Sequence, residues 1–346
     1  MRIAVVAPAY YDLPPREYGG TERVCFALAE ALVELGHEVT LIGVGTSPTQ
    51  AGFVATSDVA PTEDVDDPAG VELLHALRAR QVIARMTPDV VHEHTRLGLL
   101  TSDASGPPTV TTVHAALTGP ESQATLLRAA GPTVRLTAIS RAQRADAPDL
   151  PWVATVLNGI LLRDHPHVRR SADYALYLGR LSRTKGVELA VHAARQAGLP
   201  LVIAGDWTSP AEQVWVEDEL RPLLASAAAG EVIWVGPVDD AAKRDLFARA
   251  GCLVLPARWR EPFGLVVVES MASGVPVVAL RAGAIPELVD DGRTGILCDD
   301  VADMPAALTA AMRMDGASCR PWVQQHFSAE RMAAEYVQVY RSLGAG

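Results

Sequence analysis

The chain has 346 residues, 49% of them hydrophobic, more than one hydrophobic core ordinarily serves, so two domains are expected. A formal net charge of -11 and a pI of about 5.3 leave no basic footprint for nucleic acid, so any anionic ligand must meet a local cluster of cations. The four cysteines, Cys25, Cys252, Cys298 and Cys319, show no C-x-x-C spacing, which points away from a disulfide framework or zinc site and toward a reduced, cytoplasmic protein.

The opening "MRIAVVAPAY" reads as a first strand, because its apolar run is too short for a signal peptide and ends at Pro8 and two tyrosines. No run reaches the length of a transmembrane segment. Strands are predicted at "IAVV" (3–6), "EVTLIGV" (38–44), "DVVHEH" (89–94), "TVTTVHA" (109–115) and "RLTAIS" (135–140), with helical patterns between several of them, as at 22–35 and 70–85. A second series follows: "ALYLGR" (175–180), "PLVIAG" (200–205), "EVIWVG" (231–236), "GCLVLPA" (251–257) and "VPVVAL" (275–280). Helical patterns at 187–197 and 243–250 separate members of this series. Such alternation implies parallel sheets covered by helices on both faces, and two series imply two doubly wound, Rossmann-like α/β domains across a cleft. The charged, aperiodic stretch 162–174 marks the boundary, giving an N-terminal domain 1–165 and a C-terminal domain 166–327. The closing helix pattern 331–343, within a tail 328–346, is expected to pack back on the first domain.

Ligands of doubly wound domains bind at the carboxyl ends of the strands. Two loops at such ends carry chemistry. "YLGRLSRTKG" (177–186) sets Arg180 and Lys185 just past a strand, between Gly179 and Gly186, which allow close backbone approach. A diphosphate needs compact positive charge there, a fork from arginine and a point charge from lysine. Two solvated surface cations are the plain alternative. In "WREPFGLVVVES" (259–270), Pro262 keeps Glu261 out of helix, and a helix begins at Phe263, Gly264 and Leu265 and runs to about Ser273. Its first N–H groups and dipole form a site for oxygen-rich or anionic ligands. Glu269 interrupts an apolar run about two turns along. It either aims into a cleft, where it could accept two ribose hydroxyls, or lies solvated on the outer face.

These residues resemble the retaining GT-B glycosyltransferases of family 4. The likeness runs over nearly the whole chain, through "YGGTERV", "GHEVTLIGVGTS", "DVVHEH", "TTVHA", "TAISRAQR", "TVLNG", "LGRLSRTKG", "LVIAGD", "WREPFGLVVVESMASGVPVVA" and "GAIPELVDDGRTGIL". Its most specific part is the pair of carboxylates Glu261 and Glu269, eight residues apart, together with "GR…KG".

The resemblance implies that Arg180 and Lys185 hold a donor diphosphate and that Glu269 binds the donor ribose. It implies that Glu261, with the backbone N–H groups of Phe263, Gly264 and Leu265, grips the sugar. Gly20 would let the N-terminal backbone approach the reaction centre, and His114 would sit beside the donor sugar. The loop after "VIWVG", around Pro237 and Val238, is expected to contact the base. Tyr10, Tyr18 and His94 are the acceptor-side expectations, a structural role being equally open for His94. Without the resemblance, His114 reads as a strand-end core histidine.

Two departures stand out: Arg183, where the family pattern often has a proline or small residue, and "NGILLRD", with no acidic residue after Asn-Gly. A literal D-x-D occurs in "DVDD" (64–67), but before a helix rather than after a strand, where negative charge favours the helix terminus instead of a metal.

The implied activity is a metal-independent, retaining glycosyl transfer of hexosyl type, with a nucleotide-diphosphate sugar as co-substrate and no separate cofactor. The acceptor is a hydroxyl on a small molecule, glycan or lipid. The rival from another class is a nucleotide-sugar-binding partner subunit that has lost catalysis. A dehydrogenase ranks below it, since no G-x-G-x-x-G follows the first strand.

Overall fold

The computed structural model describes residues 1–15, 19–61, 65–101, 105–119, 122–131, 134–167, 171–228 and 230–345. The chain divides into two compact units. Unit 1 comprises Met1–Leu161 and Phe327–Gly346, and unit 2 comprises Leu162–His326.

Unit 1 opens with β1 (Arg2–Val6), α1 (Gly20–Glu34), β2 (Glu38–Gly43), β3 (Gly52–Ala55), α2 (Pro68–Met86) and β4 (Val90–Glu93). It continues with β5 (Thr109–Val113), α3 (Gln123–Ala130), β6 (Leu136–Ala138), α4 (Arg141–Asp146) and β7 (Trp152–Thr155). The strands form one parallel sheet in the order β3-β2-β1-β4-β5-β6-β7. Strand β1 is apolar on both faces, as expected of a parallel strand covered by helices on both sides. Ile3 to Val6 of β1 are each no more than 1% exposed.

Unit 2 contains β8 (Tyr174–Leu178), α5 (Val187–Ala197), β9 (Leu201–Ala204) and α6 (Pro210–Trp215), which runs on through a π turn into α7 (Arg221–Ala225). Then come β10 (Val232–Trp234), α8 (Asp240–Arg249), β11 (Ala250–Leu255), α9 (Leu265–Ala272), β12 (Val277–Leu280), α10 (Ile285–Leu288), β13 (Gly295–Cys298), α11 (Met304–Ala311) and α12 (Cys319–His326). Its parallel sheet has the order β10-β9-β8-β11-β12-β13. The last helix, α13 (Ala329–Ser342), is capped by Ser328, whose hydroxyl accepts from the Arg331 N–H, and packs against α1 inside unit 1.

The unit boundary falls at Leu161/Leu162 rather than at 165/166. Arg320 of α12 is the physical reason: its guanidinium donates to the carbonyls of Leu162 (3.1 Å), His165 and Ala272 (2.8 Å), fastening 162–165 to unit 2. Several strands stop short of their predicted ends. β4 ends at Glu93 and β5 at Val113, which leaves His94 and His114 in the loops just beyond. Strands β3, β7 and β13 were not foreseen. Among the described residues, no helix is long and apolar enough to cross a membrane.

Candidate functional site

In unit 2 the sequence-predicted residues gather at the carboxyl ends of β8 and β11. The loop after β8 turns tightly, with Lys185 N–H donating to the Ser182 carbonyl at 3.1 Å. Gly186 follows in the left-handed region (φ 72°) and lies so close to β11's exit that a β-carbon there would come 2.3 Å from the Pro256 carbonyl oxygen. The approach requires glycine and brings Lys185 toward the loop carrying Glu261. Lys185 Nζ reaches Glu261 Oε2 at 2.6 Å, and Trp259 Nε1 donates to the same oxygen at 2.8 Å. The ammonium also lies 4.7 Å from the Trp259 ring centroid, a favourable cation–π distance. Glu261 is buried, and a charge taken out of water needs such partners.

The backbone of Glu261 is fixed as well. Its carbonyl accepts from the Ala284 N–H at 2.9 Å, and Gly283 (φ 55°) packs so closely that a β-carbon would lie 2.4 Å from that oxygen. Helix α9 then starts behind Gly264, a cap with no side chain to accept a hydrogen bond. Leu265 is partly exposed at its first position and Phe263 is buried. A helix start without a side-chain cap suits an oxygen-rich ligand.

Arg180 is held separately. Its Nη1 donates to the Thr208 hydroxyl at 3.3 Å, and its Nε lies 3.4 Å from Glu212 Oε1. Arg183, the departure from the family pattern, is tied to Glu219 and sits over the Trp215 ring at 5.6 Å. Those partners account for its charge.

Glu269 is 6% exposed, so the solvated outer-face reading does not hold. Its carboxylate accepts from Lys243 Nζ at 3.1 Å. Lys243, on α8, was missed by sequence reasoning. So was Trp259, although it stands two residues before Glu261. A buried carboxylate demands a cation, and that demand was the signal that could have found Lys243. Pro237 is exposed and Val238 half-buried in the loop joining β10 to α8. Asp239 ends that loop by accepting from the Ala242 N–H at 2.8 Å, capping α8.

Unit 1 gathers histidines at the ends of β4 and β5. His94 Nδ1 and His114 Nε2 are 2.8 Å apart, with the rings stacked at 5.1 Å between centroids. His92 bonds through Nδ1 to the Tyr340 hydroxyl and through Nε2 to the Thr112 hydroxyl, both at 2.7 Å. Thr112 also meets Thr137 at 2.7 Å and Tyr336 at 2.8 Å. Two residues of α13 thus close the network. Burial pushes the His114 imidazole down to about 3 and those of His92 and His94 well below the usual histidine range. All three are neutral at physiological pH.

Gly20 is the exposed first residue of α1, and a β-carbon there meets nothing within 4 Å. Tyr10 donates to the Pro68 carbonyl at 3.2 Å. Tyr18 lies outside the described residues, as does Asp64 of the D-x-D. Asp67, at the end of that stretch, caps α2 by accepting from the Gly70 N–H at 2.9 Å.

Comparison with known proteins agrees across the chain. A family model described as "Glycosyltransferase Family 4" matches residues 18–163, and one described as "Glycosyl transferases group 1" matches residues 163–318. The glycogen synthase of Mycobacterium tuberculosis is 28% identical over 406 residues, covering 100% of this chain and 96% of the relative. The phosphatidyl-myo-inositol mannosyltransferase of Mycolicibacterium smegmatis is 28% identical over 383 residues, covering 100% and 95%. Among solved structures, Anabaena Alr3699/HepE in complex with UDP and glucose has the same fold, with a TM-score of 0.74 at 18% identity over 99% of this chain and 100% of that one.

Proposed function

Because the chain belongs to the family 4 glycosyltransferases of the GT-B fold, we propose that it moves a hexosyl group from a nucleotide-diphosphate sugar to an acceptor hydroxyl, with retention and without a metal ion. The observation that carries this reading is the Lys185–Glu261 pair, 2.6 Å apart at the ends of β8 and β11 and followed by the uncapped start of α9. In the reaction the anomeric C–O bond to the diphosphate breaks and a new C–O bond forms from the acceptor oxygen on the same face. The acceptor proton passes to an oxygen of the departing diphosphate. Arg180, Lys185 and the N–H groups from Phe263 to Leu265 would take up the charge growing on that leaving group, preorganised so that little rearrangement is needed.

Glu261, beside Lys185, would hold the sugar hydroxyls where positive charge develops at the anomeric carbon. Glu269 would hold the ribose, and the loop at Pro237 and Val238 the base. His114, neutral at physiological pH, would hydrogen-bond the sugar rather than carry charge. The UDP in the Anabaena relative makes uridine diphosphate sugars the first donors to try. The acceptor would be a small-molecule, glycan or lipid hydroxyl. A binding-only partner subunit finds no support among relatives named for transfer.

The test is donor turnover with UDP-, GDP- and ADP-sugars, with and without an acceptor panel, read by release of nucleoside diphosphate and by the anomeric configuration of the product. Retention and persistence of most activity in excess EDTA are expected. An inverted product would overturn the retaining assignment. Loss with EDTA that magnesium or manganese restores would overturn metal independence.

A further inference from the structure

We propose that Lys243 is a positioning residue that sets the nucleotide selectivity of the site by holding Glu269 in register with the loop at Pro237 and Val238. This rests on the reading of Glu269 as the ribose ligand. The side chains of Lys243 and Glu269 are 11% and 8% exposed, and Nζ lies 3.1 Å from Oε1. Asp240 Oδ1, on the first turn of α8, is 3.3 Å from the same ammonium, so the lysine is held from its own helix as well.

Two physical points favour a positional over a stabilising role. A buried ion pair is a weak stabiliser, because desolvating two charges offsets most of their attraction. An apolar pair would hold α8 to α9 as well or better. The second point is connectivity. Asp239 closes the loop after β10 and caps α8, with Lys243 N–H donating to its carbonyl at 2.8 Å, so Lys243 lies one helical turn from that loop. Glu269 lies on α9, whose first residues follow Glu261. Lys243 therefore bridges two elements, one leading from the proposed base loop and the other carrying the proposed ribose carboxylate. A shift at either end is transmitted through one 3.1 Å contact.

A carboxylate held this way discriminates by its hydroxyl contacts, so the readout is the preference for ribo- over 2′-deoxyribonucleotide. UDP, GDP and ADP and their 2′-deoxy counterparts are titrated calorimetrically into the wild-type protein, Lys243→Met, Lys243→Arg and Glu269→Gln. Taking the tightest base, the wild type should prefer the ribonucleotide by roughly tenfold or more, as a hydrogen bond to a charged group provides. In Lys243→Met this ratio should fall toward one, with the deoxynucleotide still bound, while Lys243→Arg should keep a ratio of about three. With donor sugar, the Met variant should raise KM and leave kcat nearly unchanged.

A wild-type ratio in Lys243→Met, with both nucleotides weakened equally, would make Lys243 merely structural and overturn the proposal. Should that variant not fold, Lys243→Arg decides, because its forked head displaces the carboxylate, and an undiminished ratio there overturns the proposal equally. Glu269→Gln separates the two levels. If it retains the wild-type ratio, the ribose reading itself fails; if it loses the ratio while the Lys243 variants keep it, only the role of Lys243 fails.

Discussion

In unit 2 two buried carboxylates are paired with lysines, Glu261 with Lys185 beyond the strand ends and Glu269 of α9 with Lys243 of α8, whereas the histidines at the strand ends of unit 1, His92, His94 and His114, are neutral and bonded to one another or to Thr112 and Tyr340. The same doubly wound scaffold thus meets the cost of burying polarity in two ways. Paired charges keep their field and can be redirected to an incoming anion. Neutral imidazoles and hydroxyls give up charge, keep directional hydrogen bonds and suit an uncharged polyol. Under the proposed function, the ion pairs of unit 2 suit the diphosphate with its adjoining sugar hydroxyls, and the neutral cluster of unit 1 suits an uncharged sugar face.

The comparison is most sharply broken at the cations. Lys185→Ala and Arg180→Ala should each lower kcat/KM by about a hundredfold and weaken nucleoside diphosphate binding, since each removes a charged donor from the leaving group. Steady-state kinetics and titration of UDP check this. Wild-type values in either variant would remove that residue from the site.

Acid should distinguish the units next. Burial lowers His75 to about 4 and His114 to about 3, with His92 and His94 also well below normal, all in unit 1. These imidazoles fold neutral and protonate near 6.5 when unfolded, so their contribution is complete above that value. It falls by about 1.4 kcal/mol per imidazole for each pH unit below it. Glu93, raised to about 7 by burial, acts in the opposite sense between about 4.5 and 7, as does Glu72, whose shift is in the same direction. The four imidazoles outnumber these two carboxyls. In unit 2 burial lowers His165. Hydrogen exchange followed by mass spectrometry from pH 7 to 5 should therefore show protection falling faster in unit 1. Equal loss in both units would contradict the contrast.

The smallest effect is expected at His114. Removing a neutral hydrogen bond to the donor hexosyl group should lower turnover by roughly tenfold at most while leaving nucleoside diphosphate affinity intact, because that ligand lacks the hexosyl group. Equal loss of both would make His114 a structural histidine.

Most of the central strands and the loops after β8 and β11 were legible because long apolar runs and Gly-flanked charges are local signals. Strand β3 was not, as Gly52–Ala55 is a short, half-exposed edge strand, and neither was β7, four residues following Pro151 at the other edge. Lys243 escaped for another reason. In "DDAAKRDLFAR" it is one cation in a polar helix, and only the packing of α8 near α9 buries it against Glu269. Glu269 itself was recognisable as an anomaly, but a sequence does not say whether an anomaly is solvated. The histidine network was equally hidden, since His92 meets Tyr340 from 248 residues away.

The His94–His114 contact fixes where a proton sits. His94 Nε2 is buried and, among the described residues, has no hydrogen-bond partner. Were Nε2 to carry the hydrogen, a buried N–H would be stranded, which folded proteins tolerate less well than a bare lone pair. The hydrogen therefore belongs on Nδ1, which donates to His114 Nε2 across 2.8 Å. With its Nε2 lone pair occupied and its ring neutral, His114 must be the Nδ1–H tautomer. The face it offers a ligand is an N–H, never a base. Any group that bonds His114 at Nδ1 is therefore met as an acceptor, a polarity set by the bare Nε2 of the neighbouring His94.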